Sequence, residues 1–305
     1  MTKATSRMSF SKGLGRKDGR PTELDKLKVR FPEKRAFITG AAHGLGRALA
    51  LELAAGGWAL GLNDLDRNAL DLTAEDVRAA GGSAACYVFD VANETSMLDA
   101  VKEFSKDQNG FDLMFNNAGA GDGGFFSSFD MGRWRRLIDV NLLGVVYGTR
   151  AALEIMSRQN HGHIINIASA AAFHGLPGLS AYNATKAGVM ALTETVYTEI
   201  EHTNVDISVQ ICTMWKSSNF AAASAKNVNM DEKEREVVER MTETAPITDV
   251  DAARYTLNRL LDRDLYIVIP TDAPKLAMIK RLSPKLYLKF KRFVARRAGI
   301  MPDEA

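Results

Sequence analysis

Arg35-Ala36-Phe37-Ile38-Thr39-Gly40-Ala41-Ala42-His43-Gly44-Leu45-Gly46 is the stretch on which the fold of this chain turns. Its first four residues read as a short apolar strand, the next eight are rich in glycine, and residues 47–56 are good helix formers. A strand therefore feeds straight into a helix N-terminus. Glycines at 40, 44 and 46 let the backbone turn tightly and come close to a ligand. The open amides and macrodipole of the helix start favour an anion such as a pyrophosphate there. Structural turns use glycine too, so the loop alone leaves both readings open. Thr39, Gly40, Gly44, Leu45 and Gly46 are the candidate cofactor contacts, and His43 is either a phosphate partner or an ordinary loop residue.

Outward from this loop the pattern repeats. Residues 59–63 form the next strand, which ends at Asp64, twenty residues after Gly44. That separation is the one expected of an acid that hydrogen-bonds the adenosine ribose hydroxyls. A carboxylate there repels a 2′-phosphate, so NAD is expected in preference to NADP. Residues 66–80 carry apolar side chains at Ala69, Leu72, Val77 and Ala80, a helix that Gly81-Gly82 ends. Residues 84–89 are a third strand, with Asp90 and Val91 at its carboxyl end, where ligands of open α/β sheets bind. The alternative for Asp90 is capping of a helix that starts near Glu94. Residues 111–115 are a fourth strand ending in Asn116-Asn117-Ala118-Gly119; Asn117, Ala118 and Gly119 either contact the cofactor or satisfy backbone groups where two strand ends diverge.

Residues 133–156 give the longest helical pattern, with Asn141 near its middle. Asn is a mediocre helix-interior residue because its amide competes for backbone hydrogen bonds, so something else is expected to need it. Residues 162–168 form a fifth strand that delivers Ser169, and strands follow at 206–211 and 265–270. Strands alternating with helices predict an α/β fold: a Rossmann-type, doubly wound parallel seven-stranded sheet with helices on both faces. It occupies one domain at 34–270, between a polar, basic extension at 1–33 and a basic amphipathic helical extension at 271–305.

A helix over 181–199 puts Tyr182 and Lys186 four residues apart on one face, about 5–6 Å between Cβ atoms. A phenol is a poor base at neutral pH, and a nearby ammonium favours its ionised form; a shift of two pH units requires about 2.7 kcal/mol. Tyr182 then becomes a usable acid or base. A partly buried tyrosine beside a surface lysine is the plain alternative.

With 46% hydrophobic and 25% charged residues, the 305-residue chain has an ordinary globular composition. Its net charge of +2 is too small to imply a nucleic-acid partner. The two cysteines, Cys86 and Cys212, have neither metal-ligand nor redox spacing, so no metal and a reducing, cytoplasmic setting are expected. No apolar run reaches the roughly 18 residues that cross a bilayer. Residues 1–30 mix Lys, Arg, Ser and Gly and are expected to form a tail; a targeting peptide is the alternative, because the first seventeen lack Asp and Glu.

Taken together, the motifs over residues 34–270 resemble the short-chain dehydrogenase/reductase family. Thr-Gly-x-x-x-Gly-x-Gly at 39–46, Asn-Asn-Ala-Gly at 116–119, a helical Asn141, Ser169 and Tyr-x-x-x-Lys at 182–186 occur in the family's order. The resemblance implies that Asn141, Ser169, Tyr182 and Lys186 form a catalytic tetrad. Tyr182 would exchange the substrate hydroxyl proton, and Ser169 would hydrogen-bond the reacting oxygen. Lys186 would hold the nicotinamide ribose and depress the Tyr182 pKa, and Asn141 would anchor a proton-relaying water. Tyr182 and Lys186 thus also count as cofactor contacts, alongside Ser217 at the carboxamide. The chain departs from the family after the sixth strand, where Cys212-Thr213-Met214-Trp215 stands in place of Pro-Gly. The resemblance makes residues of about 214–248 a lid over the substrate. Phe173, Met214 and Trp215, with Leu176 and Phe220, suggest an apolar pocket suited to a lipophilic or aryl secondary alcohol and its ketone, with packing in the core as the alternative for Trp215. His174 either helps to bind that substrate or faces solvent. Family practice also implies a homodimer or homotetramer through the helices of Asn141 and Tyr182.

Ser283-Pro284 reads as an N-cap and first helical residue, starting a helix that Gly299 ends. Leu286, Phe290, Phe293 and Val294 share one face and Lys285, Lys289, Arg292 and Arg296 another. The expectation is packing on the core, the lid or a second subunit, with contact to a membrane surface as the alternative. A second class of function, a non-catalytic dinucleotide sensor that uses this helix to meet a partner, is weighed against the enzyme.

Overall fold

A computed structural model describes residues 22–173, 175, 177–212, 245, 247–269 and 273–297. At its centre β1 (Arg35–Thr39) pairs in parallel with β2 (Ala59–Asp64) on one side and β4 (Leu113–Asn116) on the other. The sheet is completed by β3 (Ser83–Val88), β5 (Gly162–Ile167), β6 (Val205–Ile211) and β7 (Tyr266–Val268) in the order 3-2-1-4-5-6-7, with every pairing parallel. Strands β1, β4, β5 and β6 are buried at every position, as expected of parallel strands covered on both faces. The chain reverses direction across the sheet between β1 and β4, and ligands of such sheets bind in the crevice outside those strand ends.

Because successive strand residues point to opposite faces, Phe37 and Ile38 belong to different cores. Ile38 joins Leu49, Leu53, Leu70 and Leu257 beneath α2 (Gly44–Ala54), α3 (Arg67–Ala79) and α8 (Asp249–Arg259). Phe37 joins Val101, Phe104, Ile155 and Val196 beneath α4 (Glu94–Asp107), α6 (Gly144–Gln159) and α7 (Ser180–Glu199). Two helical layers therefore flank the sheet. A buried amide–hydroxyl chain ties β4 and β5 to α6 and α7. Asn116 Nδ2 donates to Asn166 Oδ1 at 2.8 Å and to Thr149 at 3.2 Å, and Asn166 donates to Thr193 at 3.1 Å.

The structure corrects four local expectations. Residues 24–30 are not tail but α1 (Leu24–Arg30), anchored by fully buried Leu27 and by Phe31 edge-on to Trp58. Arg30 Nη2 donates to Asp206 at 2.8 Å, at the start of β6. The α4 N-cap is Asn93, whose Oδ1 accepts from Ser96 N at 3.0 Å, and not Asp90. The single helix expected over 133–156 is α5 (Met131–Ile138), a π-helical turn at Asp139–Leu143, and α6. At the C-terminus an additional helix, α9 (Ala273–Leu282), precedes α10 (Pro284–Arg297), and of the three surfaces expected to receive Leu286, Phe290 and Phe293 the exposure of all three excludes only the core.

Candidate active site

Thr39 closes β1 with its side chain turned into the switch crevice, where it organises two loops at once. Its Oγ1 accepts from Asn117 N and Ala118 N, each at 3.0 Å, and donates to Phe115 O at 3.3 Å. Asn117 Nδ2 reciprocates by donating to Thr39 O at 2.9 Å and Gly40 O at 3.1 Å. The Asn117 side chain thus fastens the glycine loop, the structural role left open for it by sequence.

Glycine is required at two places here. Gly40 has φ +66°, and a Cβ on it would come within 2.9 Å of Ala118 Cα. A Cβ on Gly46 would lie 2.1 Å from Gly40 O, so only glycine lets α2 start flush against the loop. His43 is the exposed N-cap of α2 and makes no side-chain cap; its Nε2 lies 3.8 Å from Asp66 Oδ2. The first-turn amides of α2 are therefore not closed by their own N-cap side chain, and an anion suits that position.

Asp64 ends β2 beside this loop. Its Oδ2 accepts from Ala42 N at 3.0 Å, and its Oδ1 accepts from Leu65 N at 2.8 Å and Asp66 N at 3.2 Å. Three backbone amides hold the carboxylate at the end of the strand while leaving it half-exposed. Asp90, just beyond β3, accepts from Arg136 Nη1 at 2.6 Å and Ala92 N at 3.0 Å. Burial works to raise its carboxyl pKa, but the bonds from Arg136 and Ala92 outweigh it and hold the group below the usual range. Val91 is buried against Gly144.

The four proposed catalytic side chains come from three elements that meet at the carboxyl ends of β4 and β5. The π-helical turn carries Asn141 inward, fully buried; its Oδ1 accepts from Ala120 N at 2.7 Å and its Nδ2 donates to Ala120 O at 2.8 Å. Gly119 sits between two of these groups, for a Cβ there would lie 3.3 Å from Asn141 Oδ1 and 3.6 Å from Lys186 Nζ. Ser169 follows β5, accepts from Ala171 N at 3.1 Å and is hydrogen-bonded to the Tyr182 phenol. Lys186, one turn along α7 from Tyr182, is buried with Nζ donating to Ile167 O at 2.9 Å and lying 5.8 Å from the Tyr182 ring centroid.

Electrostatics depart from expectation here. Burial pushes the Tyr182 phenol well above its ordinary value, and the Ser169 hydrogen bond offsets only part of that rise. Burial brings the Lys186 ammonium down to about 8. The lowered Tyr182 pKa expected beside Lys186 is therefore overridden by burial, which disfavours the charged form of both groups, while Lys186 Nζ donates to a carbonyl. Cys212, the first residue of the segment that replaces Pro-Gly, is buried against the same pair. Burial pushes its thiol up to about 12, so it is neutral.

Phe173 is partly buried near the tetrad, and its carbonyl accepts from Lys280 at 3.1 Å. His174, Met214, Trp215 and Ser217, together with most of the expected lid, lie outside the described residues. Sequence reasoning passed over Arg136, which holds Asp90, and Asp249, whose carboxylate would lie 3.8 Å from a Cβ on Gly44. A legible signal did exist for Asp249: Thr248 and Asp251 form a capping box, which fixes the start of α8 beside the glycine loop.

A family model described as short chain dehydrogenase matches residues 34–229. The chain belongs to the short-chain dehydrogenase/reductase family. Members are oxidoreductases that act on CH–OH groups with NAD or NADP. The chain is 35% identical over 174 residues to a 3-oxoacyl-[acyl-carrier-protein] reductase of Synechocystis sp., covering 57% of this chain and 70% of that protein. It is 32% identical over 182 residues to a CLA biosynthesis dehydrogenase/reductase of Lactiplantibacillus plantarum, covering 59% of this chain and 64% of that one. Its matches thus span about two thirds of the length of these curated relatives. A solved short-chain dehydrogenase/reductase of Burkholderia phymatum in complex with NAD superposes with a TM-score of 0.76 at 29% identity, over 83% of this chain and 94% of that one.

The residues of this short-chain dehydrogenase/reductase fit a dinucleotide. Gly40 and Gly46 let α2 start flush against the loop, the N-cap side chain leaves its first-turn amides open to an anion, and Asp64 stands fixed beside them. Among the described residues no helix is long and apolar enough to cross a membrane.

Proposed function

We propose that this short-chain dehydrogenase/reductase interconverts an apolar or aryl secondary alcohol and its ketone, using NAD in preference to NADP. The observation that carries the reading is the convergence of Ser169, Tyr182, Lys186 and Asn141 beside the dinucleotide cradle. A nicotinamide held there would supply the hydride chemistry, as acceptor for the alcohol carbon or as donor to the carbonyl carbon.

Tyr182 exchanges the proton on the substrate oxygen. The neutral phenol favoured by burial is the form that donates to a developing alkoxide, and its ionised form is the base needed for alcohol oxidation. Ser169 hydrogen-bonds the same oxygen and fixes it within reach of the phenol. Lys186, with a pKa of about 8, is mainly an ammonium at neutral pH; its remaining donors hold the nicotinamide ribose. Asn141, clamped to Ala120, presents a fixed turn for the relay water. Thr39, Gly40, Gly44, Leu45 and Gly46 would hold the pyrophosphate and Asp64 the adenosine ribose, with Asp90, Val91, Asn117, Ala118 and Gly119 as further cofactor contacts. The Asp64 charge supports NAD by repelling a 2′-phosphate.

Two free cysteines suit a reducing, cytoplasmic setting. Exposed Ala184 and Ala191 on α7 allow close approach of a second copy in a dimer or tetramer.

Calorimetric titration with NAD and NADP, repeated on Asp64→Ala, tests the cofactor side. The parent binds NAD more tightly, and the variant loses that preference. Turnover of apolar secondary alcohols, followed by NADH absorbance, tests the chemistry. Tyr182→Phe keeps dinucleotide binding and loses at least about a hundredfold in rate, the low end of a general acid–base contribution. Undiminished turnover in that variant sinks the mechanism; binding without turnover in the parent would instead favour a dinucleotide sensor.

A further inference from the structure

We propose that the C-terminal helix pair α9–α10 is a docking surface for an anionic phospholipid bilayer, set on the side of the molecule that carries the Ser169 turn. The charge distribution is the first observation. Residues 273–297 contain nine Lys or Arg and no Asp or Glu, whereas the rest of the chain holds thirty basic against thirty-seven acidic residues, a net charge of −7. Lys285, Lys289 and Arg292 make no ion pair among the described residues.

The second observation is the position of the apolar side chains. A helix of a globular protein turns its apolar stripe to the core. On α10, Leu286, Phe290 and Phe293 fall on one face by their spacing of four and three, yet Leu286 and Phe293 are each 58% exposed and Phe290 is exposed too. Buried Tyr287 lies on a different face of the same helix. On α9, Met278 and Leu282, one turn apart, are exposed as well. A groove along α10 is lined by Lys285, Leu288, Lys289, Arg292, Phe293 and Arg296. Exposed leucine and phenylalanine flanked by lysine and arginine are the arrangement of a helix that lies in a membrane interface. There the apolar side chains enter the acyl boundary while the cations meet lipid phosphates. The absence of acids from both helices, against the negative balance of the rest of the chain, favours this face toward an anionic surface.

The third observation fixes where this surface stands. Lys280 of α9 donates to the carbonyl of Phe173, four residues after Ser169, at 3.1 Å. The face that meets the bilayer therefore adjoins the wall of the active site.

Vesicle co-sedimentation of the full chain tests the proposal, with phosphatidylcholine alone and with phosphatidylcholine plus phosphatidylglycerol, at low and high salt. Binding is expected to be at least about tenfold stronger to the anionic vesicles at low salt, and weakened by high salt. The double variants Lys285→Gln/Lys289→Gln and Phe290→Ser/Phe293→Ser should each reduce it about tenfold or more. Because those side chains are exposed, the thermal midpoint should hold, so lost binding is not lost folding. Equal binding to both vesicle types, no binding, or variants that bind like the parent overturn the proposal. So does light scattering that finds a dimer dissociated by Phe290→Ser/Phe293→Ser without vesicle binding, for the face would then be covered by a second copy. None of these readouts depends on turnover, so the proposal stands or falls separately from the enzymatic reading.

Discussion

Lys186 keeps an ammonium where burial penalises it. Its pKa falls to about 8 in the folded chain from an ordinary 10.5, a displacement of about 3 kcal/mol. Below pH 8 both folded and unfolded states bind the proton, and the full penalty is present. Between pH 8 and 10.5 the unfolded chain binds more protons than the folded one, so stability rises with pH and the penalty disappears. Lys186→Met removes it at the expense of the hydrogen bond to Ile167 O, worth about 1 kcal/mol. The variant should therefore be more stable than the parent by about 2 kcal/mol at pH 7, an advantage that falls with rising pH and reverses to a deficit of about 1 kcal/mol above pH 10.5, where only the lost hydrogen bond remains. Urea unfolding of both proteins across that range checks it, and a pH-independent difference would refute it. Turnover should be lost in the same variant, as expected where a site stores instability for use. At this scale the sequence was legible in part. It pairs Lys186 with Tyr182, but burial decides the ammonium's behaviour, and the hydrogen bond it keeps goes to a main-chain carbonyl, which every residue of the chain carries. The tyrosine's elevation was likewise hidden, because the spacing of two side chains says nothing of how deeply both are buried.

One extra residue in a turn places Asn141. An unbroken helix over 133–156 would satisfy its backbone internally; the π-helical turn between α5 and α6 instead directs the Asn141 amide at Ala120. Such turns are uncommon in helices and recur at functional positions. The sequence showed the discomfort of an asparagine in a helix interior but not its remedy, since a shift of one residue barely disturbs apolar periodicity. Asn141→Ala leaves both polar groups of Ala120 without their partner and should lower the unfolding free energy by about 2–4 kcal/mol. Chemical denaturation measures this directly. A loss below about 0.5 kcal/mol would mean that solvent replaces the amide, and the turn would then owe its shape to packing alone. The elements themselves were largely readable, because buried parallel strands are apolar throughout and their glycine and asparagine punctuation is sharp. Asp90 marks the limit: its partner Arg136 stands 46 residues away on another helix, a distance that no local pattern spans.

Across the whole molecule, α1 closes the end of the sheet opposite the site. Arg30 bonds to Asp206 at 2.8 Å and lies 3.1 Å from His163 Nδ1, while Leu27 and Phe31 enter the core below Trp58. The expected tail concealed this, because a seven-residue helix amid lysines offers only Leu24, Leu27 and Phe31 as a stripe. Deleting residues 1–31 should lower stability by roughly 3–6 kcal/mol, from two large buried side chains at about 1.5–3 kcal/mol each. Denaturant titration of the shortened chain tests that figure, and an unchanged midpoint would show that α1 merely rests on the surface. The dominant architecture was nonetheless plain from alternation, since each strand needs a helix to return the chain for a parallel neighbour. The Thr39 contacts carry a consequence for the order in which the chain is made. Its hydroxyl is fixed by amides 78 and 79 residues later, and β1 gains its second neighbour only with β4. On the ribosome, the glycine loop therefore emerges early and stands without its fastening until Ala118 has left the exit tunnel.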